Sequence, residues 1–321
     1  MFKQLKGFLA LLVILILPLG LAIGASSAVP GTLNYVEGQV SIAGQPVTAQ
    51  SVGSVQLEPG QVMQTGLGKA ELLLTPGVFV RLGDNSSLRL ISPNLGDTRV
   101  ELLNGRAIVE VTEIFKDNNL WVLLDGSSAR LDKEGLYSFD ADARQVRVFD
   151  GEATVQANDH AVSLKKDREL ALAPPFKTMH FDAKAQAAQN PLYAWSNLRS
   201  EYEAQASMQS ARTIFVGGGP NWYGPGWYWN SSWDMYGFIP GNGIWYSPFG
   251  WPFYSPWLVY SAGWYGYGLH GYGVVAGARH VSASAVASHA AGLGGAHVSG
   301  GFAGHGFAGG MQGGFGGGGR R

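Results

Sequence analysis

Few residues in this chain could do proton or nucleophile chemistry, and their spacing builds no catalytic constellation. Asp140 with Asp142, and Glu101 with Glu110, are the carboxylate pairs that could flank a glycosidic bond, because hydrolysis needs an acid and a base across a cleft. Each sits in an alternating apolar and polar run, which predicts the wet face of a strand and a solvated carboxylate. His160, in the turn Asn158-Asp159-His160, and His180 have no nucleophile beside them in sequence. His280, His289, His297 and His305 recur near the C-terminus with no helix to hold them on one face, so no metal site is expected. The chain has no Gly-x-Ser-x-Gly elbow, His-Glu-x-x-His, Walker loop or strand-linked dinucleotide fingerprint. With 0 cysteines it can form neither thiolate sites nor disulfides. A non-enzyme without a cofactor is therefore expected.

The elements that must position any binding residues begin with an export signal. Lys3 and Lys6 precede an apolar run from Phe8 to Ile23, which Pro18 interrupts and Gly24-Ala25-Ser26-Ser27-Ala28 follows. Cleavage after Ala28 is expected, giving residues 1–28 as a signal peptide and a periplasmic or secreted, envelope-associated chain. The alternative is an uncleaved anchor, since the run is just short of spanning length. No second run of that length follows, so no membrane span is expected after cleavage. An exported chain free of cysteine suits a bacterial envelope.

Charge is confined to the first two thirds. Lys plus Arg number 22 and Asp plus Glu 23, a net charge of -1 that offers nucleic acid no attractive field. After Phe215 only Asp234, Arg279, Arg320 and Arg321 are charged.

Residues 29–175 read as one all-β domain. Arg99-Val100-Glu101-Leu102, Arg106-Ala107-Ile108-Val109-Glu110-Val111 and Gln145-Val146-Arg147-Val148-Phe149 alternate as strands with one wet face do. Glu37-Gly38, Asn104-Gly105, Asp125-Gly126, Glu134-Gly135 and Asp150-Gly151 place glycine second in two-residue links and predict hairpin turns. Tyr35–Ile42 resembles Val148–Val155, and Leu103–Ala107 repeats the centre of that motif. Stacked hairpins in a sandwich or short solenoid-like roll are favoured over one closed barrel.

These residues carry a family resemblance. Gly38-Gln39-Val40, then Leu57-Glu58-Pro59-Gly60-Gln61-Val62 with Thr65-Gly66, is similar to the opening of the FecR-domain family. The similarity continues through Lys69–Leu74, Pro76–Leu82, Asn85–Leu90, Val100–Ala107 and Gly135–Phe139, and covers most of residues 33 to 172. Its motifs are turns and strands with no chemical signature. The resemblance implies a periplasmic module for protein-protein contact, because such regulators relay receptor occupancy to a sigma factor. They carry a cytoplasmic domain before their membrane span, whereas here Met1 to Gly7 precede the apolar run, so the free-standing secreted use of the domain is expected.

Residues 183–212 predict a helix that starts in earnest at Pro191, with Trp195, Leu198 and Tyr202 as the stripe that docks on the β domain. Residues 213–275 turn abruptly to Gly, Pro, Trp, Tyr and Phe. Trp222, Trp227, Trp229, Trp233, Trp245, Trp251, Trp257 and Trp264 form the candidate contact surface. Three readings stay open for it: packing or self-association, contact with a surface or glycan, and insertion at a membrane interface. Residues 276–321 are Gly/Ala/His-rich and expected to be disordered. The expected function is non-catalytic binding or scaffolding in the envelope, with an unidentified protein or surface partner. The alternatives are an accessory role in envelope signalling, through a receptor or regulator partner, or glycan binding.

Overall fold

A computed structural model describes residues 28–216 and 224–259. The residues through Ser27 expected to form a signal peptide, Trp222, Trp264 and the histidine-bearing tail lie outside the described residues. The chain opens with β1 (Thr32–Ile42), β2 (Gln45–Val47), β3 (Val62–Leu73), β4 (Val78–Leu82), β5 (Ser87–Asn94), β6 (Asp97–Asn104) and β7 (Arg106–Val111). It continues through β8 (Leu120–Leu124), β9 (Ser127–Leu131), β10 (Gly135–Asp140), β11 (Gln145–Asp150), β12 (Glu152–Ala157), β13 (His160–Lys165), β14 (Arg168–Ala171) and β15 (Thr178–His180). Two helices follow, α1 (Ala183–Gln189) and α2 (Pro191–Val216), and then the hairpins β16 (Gly226–Asn230) with β17 (Met235–Ile239) and β18 (Ile244–Tyr246) with β19 (Pro252–Tyr254). Among the described residues no helix is long and apolar enough to cross a membrane.

The first fifteen strands form one 15-stranded sheet, folded over so that two halves share a core. One half contains β5, β6, β8, β9, β12 and β13, and the other contains β4, β7, β10, β11, β14 and β15. Val100, Val122 and Val155 of the first half meet Val80, Val109 and Phe139 of the second in a single cluster. β1 and β3 run through both halves. The start of β3 pairs with β5 and its end with β4, so these two long strands make the fold of the sheet. The all-β architecture with a trailing helix follows the sequence expectation.

The glycine links do a different job from the one predicted. Only Asp125-Gly126 closes a hairpin, between β8 and β9, with φ 49° and 72° as a primed turn requires. At Asn104-Gly105, Glu134-Gly135 and Asp150-Gly151 the flanking strands do not pair with each other. The chain instead crosses there from one half of the sheet to the other. Glu37-Gly38 lies inside β1, at the register shift where that strand bends between the halves. The internal repeat thus marks corners, with positive φ at Gly38, Gly105 and Gly151 as a hairpin would require, while Gly135 has none and is glycine because a Cβ would meet the Asp150 carbonyl. Gly151 shows the constraint most sharply. Its φ is 95°, and a Cβ there would strike the Tyr137 hydroxyl. That hydroxyl shares its one proton between the carbonyls of Lys133 (2.5 Å) and Glu152 (3.1 Å) and accepts from the Glu152 backbone N–H (3.2 Å), pinning two crossovers together.

Candidate functional site

The halves of the sheet differ on their outer faces. In β4, β7 and β10 the usual alternation fails, since nearly every residue is buried whichever way it points. Outward-facing Leu73 and Phe79 pack with Trp227, Phe238 and Phe253 of the aromatic hairpins. Ile108 and Leu136 pack with Leu192 and Phe181 at the start of the helical region. The described part of the aromatic segment is therefore a cover over this half of the sheet.

Beneath the cover lies a cluster of charges. Glu71 on β3 faces Arg81 on β4 in register, and Glu110 lies on the adjacent β7. Arg81 Nε donates to Glu71 Oε2 at 2.6 Å, and its Nη1 makes a very short contact with Glu110 Oε2. From α2, Arg199 Nη2 donates to Glu71 Oε1 (2.9 Å) and Glu203 Oε1 (3.2 Å), while Ser200 Oγ donates to Glu110 Oε1 (2.7 Å). Asn34 of β1 completes it. Its Nδ2 donates to Glu203 Oε1 (2.7 Å) and Glu71 Oε1 (3.0 Å), and its Oδ1 accepts from the Tyr236 backbone N–H (2.8 Å). One side chain thus ties sheet, helix and aromatic hairpin. Arg199 also stacks on Tyr35, 4.0 Å from the ring centroid.

The carboxyls of the cluster are pushed in opposite directions. Burial opposes ionisation of Glu71, but Arg199 and Arg81 outweigh it and hold the carboxyl far below the usual range. Burial likewise disfavours the charged form of Arg81, and Glu110 and Glu71 more than restore it. Burial, reinforced by the negative charge of Glu71, pushes Glu203 well above the usual carboxylate value and favours its protonated form. Two arginines then face two carboxylates in a dry site. Such a cluster specifies how its parts dock more than it adds net stability.

Two expectations fail here for one reason. Glu110 is wholly buried in the cluster, where alternation predicted solvent, because a helix covers that face. Glu101 lies on the outer face of the other half, so the two carboxylates share no cleft. The docking stripe holds at Trp195, half-buried with its ring 6.0 Å from that of Tyr35, and differs elsewhere. Leu198 and Tyr202 are exposed, and Ser196, Arg199, Ser200, Glu203, Ser207 and Ser210 face inward at three- and four-residue spacing. Small and charged groups serve because the sheet beneath offers charges as well as apolar side chains. The helix breaks at Asn190, whose Oδ1 accepts from the backbone N–H of Leu192 (3.0 Å) and Tyr193 (3.3 Å) and caps α2.

The other sequence candidates have local roles or stay apart. Asp140 accepts from the Ala143 backbone and Asp142 from that of Gly105, so both are turn-forming acceptors. His160 is exposed, 5.4 Å from the Phe176 ring, and His180 is exposed. Of the tryptophans, Trp227 is buried 5.0 Å from Phe79, and Trp229 stacks edge-on to Tyr236 at 5.1 Å. Trp251 Nε1 donates to Asn197 (2.8 Å), Trp245 Nε1 to the Asn242 carbonyl (3.1 Å) and Trp233 Nε1 to Gln209 (2.8 Å). Trp257 is 65% exposed. These six are divided between core, packing seams and surface and do not make one contact face. Among the described residues no group of His, Asp and Glu could hold a metal ion.

Among the described residues nothing covers the outer face of the half containing β6, β8, β9 and β12 as α2 and the aromatic hairpins cover the other. Arg99, Trp121 and Arg130 stand side by side in register on β6, β8 and β9, with the two guanidinium carbons 5.6 Å and 5.9 Å from the indole centroid. The next row, Glu101, Leu123, Ser128 and Gln156, lines with Arg99 and Trp121 a groove of about 370 Å3. Trp121 is a site residue that local sequence pattern did not single out. Its alternation with Leu123, among flanking charges on neighbouring strands, was the available signal.

No protein-family model matches this chain, and no curated protein does. The solved structures it resembles include two crystal structures of a protein from Parabacteroides distasonis ATCC 8503 provisionally described as an anti-sigma factor. Identity is 15% and 14%, with TM-scores of 0.34 and 0.35 over 40% and 42% of this chain. The matches span 62% and 64% of those chains, a little under two thirds of their length. Likeness at this level carries no functional argument, and the FecR-domain resemblance rests on the turn and strand residues that gave rise to it.

Proposed function

We propose that this chain is an exported, non-catalytic binding module of a bacterial envelope, in which helix and aromatic hairpins brace a β domain that presents its open face to a partner. The unequal treatment of the two outer faces carries this reading. One is closed by α2 and by Trp227, Phe238 and Phe253 over a buried charge cluster, and the other is left with an aromatic, polar groove. Bracing one face stiffens the other, and a rigid scaffold lowers the entropy lost on binding. The apolar run behind Lys3 and Lys6 supports export.

The test expresses the full chain in a Gram-negative host, fractionates the cells, reads the mature N-terminus by mass spectrometry and applies limited proteolysis. An envelope fraction starting at Val29, with protection through β19, is the expected result. A chain kept in the cytoplasm with Met1 intact would sink the export reading. A second reading, an accessory in envelope signalling, draws on β13, which ends the sheet path, pairs only with β12 and is largely exposed. An extended partner strand could add there.

A further inference from the structure

We infer that the groove beside Trp121 is a binding site for an uncharged oligosaccharide. This deepens the binding-module reading and rests on it. The groups around the groove differ in how far the protein itself satisfies them. Thr154 Oγ1 donates to Asp132, Ser163 Oγ donates to Glu152, and Arg99 and Arg130 each engage an aspartate through Nε, to Asp97 at 2.8 Å and Asp132 at 2.6 Å. Among the described residues no protein group takes the Nη donors of Arg99, the hydroxyl of Ser128 or the side-chain amide of Gln156. Glu101 uses one oxygen on Arg89 at 2.9 Å and keeps the other. Donors and acceptors thus converge, unused, on a floor formed by Leu123 and a wall formed by Trp121.

The chemistry of the lining selects the ligand class. Each guanidinium near the groove already has a carboxylate, Arg89 with Glu101, Arg99 with Asp97 and Arg130 with Asp132, so the site has no surplus charge to draw an anion or cation. Planar donors on Arg99 and Gln156 and acceptors on Glu101 and Gln156, beside an aromatic wall, match vicinal hydroxyls and the apolar edge of a sugar ring. Trp121 is held between two arginine side chains, so little ordering remains to be done on binding. From β6 to β12 the row crosses three inter-strand spacings of about 4.8 Å each, room for a short oligosaccharide. The groove is shallow, which predicts weak binding.

Titration calorimetry of the full mature chain with chitotriose, maltotriose and cellotriose, and with trigalacturonate as a charged comparator, tests the inference. At least one neutral trisaccharide should bind with a Kd of about 0.1–1 mM, weakened about ten-fold or more by Trp121→Ala and by Gln156→Ala and unchanged by Trp257→Ala. Gln156 is exposed, so its replacement reports on binding even if Trp121→Ala perturbs the sheet. The inference is overturned if none of the three neutral sugars binds below about 10 mM, if both groove variants keep wild-type affinity, or if trigalacturonate is preferred. Export is read separately. A chain that is exported and folded but binds no neutral trisaccharide removes the saccharide assignment alone.

Discussion

Replacing Glu71 and Glu203 separately by glutamine would test the charge balance of the buried cluster. Glu71 is ionised and accepts from Arg81 Nε, Arg199 Nη2 and Asn34 Nδ2. Glu71→Gln leaves two buried arginines facing one carboxylate, and breaking a buried ion pair from one side costs about 3–5 kcal/mol. If the raised value of Glu203 keeps it neutral, Glu203→Gln preserves both the charge and an acceptor oxygen for Asn34 and Arg199. Its cost should stay within about 1 kcal/mol. Urea unfolding of the mature chain at neutral pH measures both. The pH dependence adds a second readout. The folded-state value of Glu203 is raised, so its contribution is full at acid pH and is lost as pH rises from the ordinary carboxylate range toward that value; Glu203→Gln should flatten this loss. Glu71 is lowered, so its contribution is lost as pH falls below the ordinary range. Equal destabilisation by the two variants, or a greater loss from Glu203→Gln, would refute the assignment of the proton to Glu203.

Other consequences can be checked with the same unfolding measurements. Gly151→Ala should cost about 2–3 kcal/mol, because it adds a Cβ against the Tyr137 hydroxyl to the strain of positive φ, whereas Gly126→Ala, in open space, should cost about 1 kcal/mol. Similar losses would contradict the crowded corner. Tyr137→Phe should cost about 1–3 kcal/mol by leaving the Lys133 and Glu152 carbonyls short of a donor, and a neutral result would remove the pin between crossovers. Burial, with help from Glu134, pushes the Glu113 carboxyl up to about 7, so its contribution is lost as pH rises from about 4.5 through about 7. Glu113→Gln should reduce the fall in thermal midpoint over that interval, and an unchanged pH profile would rule this out.

The alternation of Val100, Leu102 and Val146, Val148 was enough to read an all-β domain, because a strand that packs on one core must place apolar side chains at every second position. The Asn/Asp-Gly links were legible as places where the chain turns, since positive φ at Gly105, Gly126 and Gly151 restricts those positions to few residue types, and Gly135 is held to glycine by the Asp150 carbonyl against it. Whether such a link closes a hairpin or crosses between layers depends on which distant strand accepts the next set of hydrogen bonds, and the same dipeptide serves both. The outer faces show the same division. Glu110 and Glu101 follow the same local pattern, yet one is buried in an ion cluster and the other lines an open groove, because α2, some 90 residues after Glu110 where Ser200 meets it, folds over only one half of the sheet. The sequence by itself determined the strands, the turning points and the aromatic character of the C-terminal segment, all set by local periodicity and backbone sterics. Tertiary structure alone decided which face of the sheet is sealed and where a tryptophan meets solvent, because burial depends on what packs against a residue from far along the chain.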